Sequence, residues 1–244
     1  MLLQKCFRVE IARSAARSAE RRWLNVSGLS LSSGGTICIN KADFFPSSFR
    51  IEFKTKVVYI DPVEMEGSDA ADYILITHNH PDHFSLEEVM RLSREDTIVI
   101  GPGSIAEYFP PEKMHVLKPG SKIMFPDFNL EAVHAYNLKP VFLWIKPHQS
   151  GDACLGYVME ANGIRIYHSG DTDSIPELST IGKIDVALLA VGGDKLTMGP
   201  ESAASIVHAM RPTYTVPMHY STGKGIAERF RELAGDVTCV EMME

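Results

Sequence analysis

The feature of this sequence that most constrains its fold is a dense group of polar residues directly after an apolar run. The run 73–77 has the composition of a strand that is buried on both faces. Three histidines and an aspartate follow within six residues, in the string His78-Asn79-His80-Pro81-Asp82-His83. Neutral imidazoles and a carboxylate are the ligands that zinc and similar divalent ions prefer. The string therefore predicts a metal site at the end of a buried strand.

The spacing within this string favours two neighbouring metal positions. Alternate side chains after a strand point the same way, so His78 and His80 would aim at one point, and Asp82 and His83 at a second. A single histidine is more often a structural hydrogen-bonding group than a metal ligand. Such a role does not explain the whole string.

Further donors stand where other predicted strands end. His134, Asp171 and His219 follow the strand-like runs 129–133, 164–167 and 213–216. Donors at strand ends can converge at one edge of a sheet sandwich. Gly170 would let the backbone turn sharply behind Asp171, and an anion at that position could bridge two ions.

The order of the predicted elements favours a layered α/β fold. Runs at 36–39, 49–53 and 57–60 predict a β-meander, and strands at 73–77, 97–100, 155–159, 164–167, 185–191 and 213–216 alternate with helices. A capping box of Ser85 and Glu88 begins one helix, Pro200 begins a second, and the run 226–233 forms a third. Asn162-Gly163 is typical of a two-residue hairpin turn. We expect a four-layer αββα sandwich in one domain over residues 29–244.

Residues 1–28 have a different composition, in which basic residues predominate. The segment predicts a short basic helix outside the core, with a transit peptide or a contact with an acidic partner as alternatives. Its basic residues are Lys5, Arg8, Arg13, Arg17, Arg21 and Arg22, against Glu10 and Glu20.

The composition also limits the compartment and the partners. The chain of 244 residues has a formal net charge of -7, which argues against binding of nucleic acid through a broad basic surface. Its four cysteines form no close pair, as expected in a reducing compartment. No apolar run reaches the ~18 to 20 residues of a membrane helix, and no signal peptide is recognisable. We therefore expect a soluble, cytoplasmic protein with a small-molecule substrate, and a homo-oligomer is compatible with the sequence.

The chain resembles the metallo-β-lactamase superfamily, in particular a metal-dependent hydrolase branch similar to L-ascorbate-6-phosphate lactonases. The resemblance covers about Leu29 to the C-terminus, and it rests on the segments 77–84 (THNHPDHF), 167–173 (YHSGDTD), 192–194 (GGD), 198–201 (MGPE) and 217–220 (PMHY). It implies two divalent metal ions, with zinc favoured and manganese, iron or nickel also compatible. One ion would be held by His78, His80 and His134, the other by Asp82, His83 and His219, and Asp171 would bridge them.

The sequence leaves two possible roles open for each of three residues, His134, Asp194 and His168. His134 lies in the segment Val-His-Ala-Tyr-Asn, where a histidine is not required by the family pattern, so His148 is a second candidate for the first metal or for a substrate contact. Asp194 is either a turn residue or a substrate contact. His168 either supports Asp171 by a hydrogen bond or faces the pocket.

The resemblance implies hydrolysis of a lactone, thioester or phosphodiester by a metal-activated water. Asp82 and Asp171 are the predicted catalytic residues: Asp82 would orient the nucleophile and pass a proton to the leaving group. A diiron oxidoreductase of the same fold is disfavoured because that branch typically has glutamate at the position of His80. A nuclease and a non-catalytic, metal-stabilised binding protein are the remaining alternatives.

The loops 106–122 and 137–152 are expected to set the specificity. The second loop is basic and aromatic, and it contains Lys139, Trp144, Lys146 and His148. This composition favours a small anionic substrate.

Overall fold

The computed structural model describes residues 11–13, 23–67, 69–140, 147–151 and 153–244. In chain order the strands are β1 (Ile11–Arg13), β2 (Trp23–Val26), β3 (Leu29–Ser33), β4 (Ile37–Ile39), β5 (Ala42–Phe45), β6 (Phe49–Phe53), β7 (Lys56–Ile60), β8 (Tyr73–Leu75), β9 (Ile98–Gly101), β10 (Met114–Val116), β11 (Lys122–Met124), β12 (Asn129–His134), β13 (Leu155–Ala161), β14 (Ile164–His168), β15 (Val186–Ala190), β16 (Tyr214–Met218), β17 (Tyr220–Ser221) and β18 (Cys239–Val240). The α-helices are α1 (Leu86–Leu92), α2 (Pro200–Met210) and α3 (Ile226–Ala234). Short 3₁₀ segments lie at Gly103–Tyr108, Pro111–Lys113 and Pro176–Thr180.

The first large sheet has the strand order β10-β9-β8-β7-β6-β3-β2. Strands β2, β3, β6 and β7 form an antiparallel meander, and β7 to β10 continue in parallel. Helix α1 provides the crossover from β8 to β9, and it begins at Ser85, whose hydroxyl accepts a hydrogen bond from the Glu88 N–H at 3.2 Å. The predicted capping residue is thus confirmed. The buried face of α1 packs with this sheet in a small outer core.

The second large sheet has the strand order β11-β12-β13-β14-β15-β16-β18. Its antiparallel half contains the predicted hairpin of β13 and β14, in which Asn162 and Gly163 have φ values of 51° and 75°. Its other half, formed by β14, β15, β16 and β18, is parallel. Helices α2 and α3 pack on each other, and their buried residues join the main core.

The main core lies between the two large sheets. The apolar faces of both sheets contribute side chains that are 1% exposed or less, including Phe49, Ile51, Leu155 and Leu188. With helices on both outer sides, the structure confirms the predicted four-layer αββα sandwich. Among the described residues, no helix combines the length and the apolar character needed to cross a membrane.

The helix predicted within residues 1–28 is wrong wherever that segment is described. Ile11–Arg13 pairs antiparallel with β4, and Trp23–Val26 pairs with β3 in the first large sheet. Residues Ser27 and Gly28 both have positive φ values and form the turn between β2 and β3. Leu24 is buried in the main core, so this end of the segment belongs to the sheet and is not an external helix. The other residues before Trp23 lie outside the described part of the chain.

A small third sheet, of order β1-β4-β5-β17, completes the architecture. Strand β17 directly follows His219, and its pairing with β5 places Ser221 opposite Phe44. The ring of Phe44 contacts the ring of His219 edge to face, with centroids 4.9 Å apart. This sheet therefore lies against one of the predicted metal ligands.

Candidate metal centre

Two contacts join the sheets where the predicted metal-binding string begins. The Leu155 N–H donates to the carbonyl oxygen of Thr77 at 3.0 Å, and the buried phenol of Tyr157 donates to the carbonyl oxygen of Ile76 at 2.6 Å. Both acceptors follow β8 in the first sheet, whereas both donors belong to β13 in the second. The loop after β8 is therefore fixed relative to the strands that carry the other donors.

The first histidine group consists of His78, His80 and His148. The Nδ1 atom of His80 lies 3.1 Å from His78 Nε2 and 3.2 Å from His148 Nε2. A metal–nitrogen bond of about 2.0 to 2.1 Å in tetrahedral geometry places ligand nitrogens about 3.3 Å apart. The spacing of the three nitrogens thus fits one divalent ion, and each of the three residues offers an atom to a common point.

Hydrogen bonds on the far side of two of these rings fix which nitrogen carries the proton. The hydroxyl of Thr77 donates to Asp61 at 2.6 Å, so it can only accept the hydrogen bond from His78 Nδ1–H at 3.0 Å. The Nδ1–H of His148 donates to Asn137 Oδ1 at 2.8 Å. In the neutral rings, His78 Nε2 and His148 Nε2 are therefore lone-pair donors that face His80.

The second ligand group consists of Asp82, His83 and His219. Asp82 Oδ2 lies 3.3 Å from His219 Nε2 and 3.9 Å from His83 Nε2. His83 donates from Nδ1 to the buried carboxylate of Asp61 at 2.7 Å, which orients its ring and leaves Nε2 facing the site. A carboxylate behind a ligating imidazole raises its basicity and holds its orientation.

Asp171 lies between the two groups. Its Oδ2 atom is 3.0 Å from His219 Nε2, 3.5 Å from His148 Nε2 and 4.0 Å from His78 Nε2, and its Oδ1 atom is 3.3 Å from His83 Nε2. Gly170 permits this placement because it has a φ of +57° and a Cβ added there would lie 2.4 Å from the carbonyl oxygen of Leu155. One carboxylate thus reaches ligands of both groups.

His219 is held in an unusual backbone conformation. It has a φ of 56°, in the left-handed region that non-glycine residues rarely occupy. Gly192 lies against it so closely that an added Cβ would stand 2.1 Å from the carbonyl oxygen of His219. Strained backbone of this kind concentrates at functional sites, where the surrounding structure enforces it.

The protonation tendencies of the two groups differ. Burial and the neighbouring rings hold the pKa of His78 well below its usual value, and burial lowers the pKa of His80 and brings that of His148 to about 4. Burial alone would also lower the pKa of His83 and His219. Asp171 and Asp82 outweigh it, so the pKa of His83 lies well above its usual value and that of His219 is about 9.

The two carboxylates that face the histidines respond in the opposite sense. Burial alone would raise the pKa of Asp171, but His219 and His83 hold it well below its usual value. The pKa of Asp82 is lowered in the same way, mainly by His83 and then by His219. Both side chains are therefore ionised near neutral pH, as ligands to a cation must be.

Unsatisfied polar atoms test whether this donor set fits a metal ion. His83 Nε2 and Asp171 Oδ1 are buried and have no hydrogen-bond partner among the described residues. The Nδ1–H of a neutral His83 is donated to Asp61, so Nε2 of His83 points a lone pair at the carboxylate of Asp171. Two buried acceptors that face each other repel, unless a proton or a cation lies between them. The same condition holds in the first histidine group. The lone pairs of His78 Nε2 and His148 Nε2 both face His80 Nδ1, which can donate only one proton. The donor set fits divalent metal ions.

The structure brings together most of the residues that the sequence predicts for the site. His78, His80, Asp82, His83, Asp171 and His219 all lie within the ligand groups, joined by His148. His134 is not part of any ligand group found among the described residues; it ends β12 opposite Leu155, with its ring against Tyr136.

Other predicted residues lie around this centre. The ring of His168 donates from Nε2 to the Ser47 carbonyl oxygen at 2.9 Å and accepts from the Gly170 N–H at 3.2 Å, so it supports the turn before Asp171. Asp194 is an exposed turn residue with a φ of 53°. Lys139 is exposed, and Trp144 and Lys146 lie outside the described residues.

Two residues that the sequence did not single out support the ligands directly. Asp61 accepts hydrogen bonds from His83 and from both the N–H and the hydroxyl of Thr77. Asn137 holds His148. The available sequence signal for Asp61 was its position directly after the predicted strand 57–60, at the strand end that neighbours the metal-binding loop. For Asn137 the signal was weaker, because it follows a strand only at a distance of three residues.

Comparison with known proteins places this fold and donor set in a family. The Beta-lactamase superfamily domain matches residues 44–219. A UPF0173 metal-dependent hydrolase of Thermococcus onnurineus is 36% identical over 186 residues, which cover 72% of this chain and 78% of the relative. One of Thermus thermophilus is 36% identical over 185 residues, which cover 68% and 76%.

Solved structures agree with this assignment. The crystal structure of a protein from Parabacteroides distasonis, described as a metal-dependent hydrolase, has a TM-score of 0.75 and 28% identity, with 92% of this chain and 98% of that chain covered. The metallo hydrolase Igni18 of Ignicoccus hospitalis shares the fold, with a TM-score of 0.66 and 24% identity over 82% of this chain and 93% of its own.

The fold and the cluster of histidines and aspartates define a metallo-β-lactamase fold protein with a candidate metal centre at the ends of its strands. Within that superfamily, the chain belongs to the UPF0173 metal-dependent hydrolase family. The predicted superfamily and the prediction of a metal-dependent hydrolase are thereby confirmed. The narrower resemblance to L-ascorbate-6-phosphate lactonases stays a prediction.

Proposed function

We propose that this protein hydrolyses a small ester, lactone or phosphodiester with the help of two divalent metal ions. The first ion would be held by His78, His80 and His148, and the second by Asp82, His83 and His219. The observation that carries the proposal is the position of Asp171, whose carboxylate lies within 4.0 Å of a ligand nitrogen in each group. A carboxylate in that position is suited to bridge two ions. Zinc is favoured for this set of nitrogen and oxygen donors, and manganese, iron and nickel are compatible with it.

Bound divalent ions would supply a hydroxide nucleophile near neutral pH and a Lewis acid that polarises the scissile carbonyl or phosphoryl group. Asp82 is the residue of the chain best placed to assist, because its side chain is 22% exposed whereas that of His83 is fully buried. As an ionised carboxylate it would accept a hydrogen bond from the attacking water. It would then take the proton of that water and deliver it to the leaving group.

The remaining residues of the site act through position. Asp61 and Thr77 hold His83 and His78 by the hydrogen bonds described above, and Gly170 allows Asp171 to approach both groups. Preorganised ligands need no rearrangement during the reaction, which is a main source of rate enhancement in such sites.

The resemblance to L-ascorbate-6-phosphate lactonases and the exposed Lys139 in the loop after β12 favour a small anionic substrate. A cytoplasmic location is part of the same proposal: the cysteines in the described part of the chain, Cys38, Cys154 and Cys239, are all unpaired.

Elemental analysis of protein purified without an affinity tag would test the proposal, together with a panel of lactone, thioester and phosphodiester substrates assayed with and without added zinc or manganese. We expect about two metal equivalents. Metal content should fall to about one equivalent in His80→Ala and should also fall in Asp171→Ala, and both variants should lose hydrolysis of the same substrate class. Folded wild-type protein that stays inert after metal reconstitution would favour a non-catalytic binding protein, and turnover of RNA or DNA alone would favour a nuclease.

A further inference from the structure

Asn137, which lies beside the candidate ligand His148, forms hydrogen bonds through its backbone N–H and through both ends of its side-chain amide. The residue is fully buried. Its Oδ1 atom accepts from the backbone N–H of His148 at 3.2 Å and from the ring Nδ1–H of His148 at 2.8 Å. Its own backbone N–H donates to the His148 carbonyl oxygen at 2.9 Å. Asn137 thus forms hydrogen bonds with both the backbone and the ring of His148.

The amide nitrogen of Asn137 makes the remaining contact, in a different direction. Asn137 Nδ2 donates to the carbonyl oxygen of Leu196 at 2.8 Å. This bond settles the orientation of the amide, because a carbonyl oxygen can only accept, and it leaves Oδ1 facing His148. Leu196 belongs to the turn after Gly193, in which Asp194 and Lys195 have positive φ values and are exposed.

The turn at 193–198 is tied to the site from its other end as well. The Met198 N–H donates to the carbonyl oxygen of Thr172 at 3.0 Å, and Thr172 directly follows Asp171. Within the turn, the N–H groups of Leu196 and Thr197 donate to the Gly193 carbonyl oxygen. The turn is therefore hydrogen-bonded to the supports of two candidate ligands.

We propose that Asn137 is a positioning residue that sets the tautomer of His148 and couples this ligand to the exposed turn at 193–198. Through Asn137 Oδ1, the proton of the neutral His148 ring stays on Nδ1, and Nε2 keeps its lone pair for a metal ion. Through Asn137 Nδ2, the position of the turn depends on the position of His148. Coupling between two sites is reciprocal, so metal binding at His148 orders the turn, and an ordered turn strengthens metal binding.

The coupling gives the turn a function in the proposed reaction, on which this part of the inference rests. The exposed side chains of Asp194 and Lys195 are available to a substrate, and a substrate that orders the turn would also hold His148 in place. Substrate binding would then tighten the first histidine group. The tautomer itself is a property of the metal-free chain and does not depend on the proposed function.

Two substitutions separate the two contacts of Asn137. Asn137→Asp keeps an acceptor for His148, now as a carboxylate, but places an oxygen against the Leu196 carbonyl oxygen, so the tether to the turn is lost while the bond to His148 remains. Asn137→Ala removes both contacts. Asn129→Ala is the matched control, because Asn129 is exposed at the start of β12.

Long-range ¹H–¹⁵N NMR spectra of the metal-free proteins at neutral pH would report the proton on each nitrogen of His148, with its signals assigned by their loss in His148→Gln. We expect an Nδ1–H tautomer in the wild type and in Asn137→Asp, and a mixture in Asn137→Ala. A wild-type ring with its proton on Nε2 would overturn the assignment of the tautomer without any variant.

Zinc titrations and amide hydrogen exchange of residues 193–198 would test the coupling. We expect zinc to slow exchange of the turn in the wild type and in Asn129→Ala but not in Asn137→Asp. Zinc affinity should fall about 10- to 100-fold in Asn137→Ala, as for other partners of ligating histidines, and by less in Asn137→Asp. Unchanged affinity and unchanged exchange in a folded Asn137→Asp protein would overturn the coupling. Wild-type protein that binds no zinc or manganese would contradict the proposed function, and the NMR measurement would still decide the tautomer.

Discussion

The two candidate ligand groups lie side by side but differ in their electrostatics. The first group offers three histidines whose pKa values are lowered by burial, so its nitrogens are unprotonated near neutral pH. The second group contains the carboxylate of Asp82, with Asp171 beside it, and these charges raise the pKa values of His83 and His219. A cation enters the first group without displacing protons, whereas in the second group it must replace them.

Their supports differ as well. His83 is backed by Asp61, a buried carboxylate at the end of β7, and its neighbour His219 is fixed by close backbone packing. His148 comes from the connection between β12 and β13 and depends on the neutral amide of Asn137. In the second group, a charged residue inside the sandwich therefore holds His83. In the first group, a neutral hydrogen bond in a loop holds His148. Substitutions and pH titrations can separate these two kinds of support.

Asp171→Asn should have the largest effect, because it removes the charge that both groups share. We expect metal content to fall in both groups and hydrolysis to fall on the order of 10³-fold or more, since a metal ion contributes several kcal/mol to transition-state stabilisation. Elemental analysis and steady-state kinetics would measure both. Asp96→Asn, at a side chain that is 75% exposed, is the control and should leave both values unchanged. Full metal content in Asp171→Asn would mean that the carboxylate does not bridge.

His80→Ala should prevent metal binding at the first group only, and His219→Ala at the second group only. Each truncation removes one ligand from a set of three, so each variant should retain about one metal equivalent under conditions where the wild type holds about two. Elemental analysis after gel filtration would give the stoichiometry. If both variants lose all metal, the two groups form one inseparable site and the comparison between them fails.

Asp61→Asn should weaken the second group more than the first, because Asp61 bonds the ring of His83 directly and reaches His78 only through Thr77. The amide keeps one oxygen but places an N–H₂ donor where Thr77 or His83 also donates, so the ring of His83 loses its fixed orientation. We expect a loss of about 10- to 100-fold in metal affinity at the second group. Competition with a chelator would measure this affinity in the His80→Ala background, where the second group is isolated. An equal loss in the His219→Ala background would show that Asp61 supports the whole site and not one group.

The pH dependence of metal binding should distinguish the two groups. His219 has a pKa raised to about 9, so below that pH the ring is protonated, and apparent affinity at the second group should fall as the pH falls, by about tenfold per unit for each proton displaced. His148 has a pKa lowered to about 4, so affinity at the first group should be nearly flat from about pH 6 to 9. Titrations of His80→Ala and His219→Ala over that range would give the two slopes, and equal slopes would contradict the account.

Much of the fold and most of the site could be predicted from local patterns. The helix cap at Ser85, the Asn162-Gly163 turn and the buried run before His78 each reflect a few neighbouring residues, and each is confirmed. Glu88 of the predicted capping box instead accepts a hydrogen bond from the Met65 N–H. The helix predicted within residues 1–28 is wrong at Ile11–Arg13 and Trp23–Val26, because the prediction rested on the basic composition of the segment. The turn at Ser27 and Gly28 and the burial of Leu24 instead place Trp23–Val26 in the sheet.

The choice between His134 and His148 could not be made from local patterns. Both histidines lie near the end of β12, and the sequence favours His134 because it ends the predicted strand. His148 reaches the site because the chain returns after Asn137 and is held there by hydrogen bonds across eleven residues. The importance of Asp61 likewise depends on the parallel pairing of β7 with β8, which brings two separate strand ends together.

Anomalous diffraction from crystals grown with zinc or manganese would test the central claim most directly, because it locates each metal ion by its own scattering. The account predicts two peaks, one within bonding distance of His78, His80 and His148, the other of Asp82, His83 and His219, with Asp171 between them. A single peak, or a first ion bound by His134 in place of His148, would contradict it.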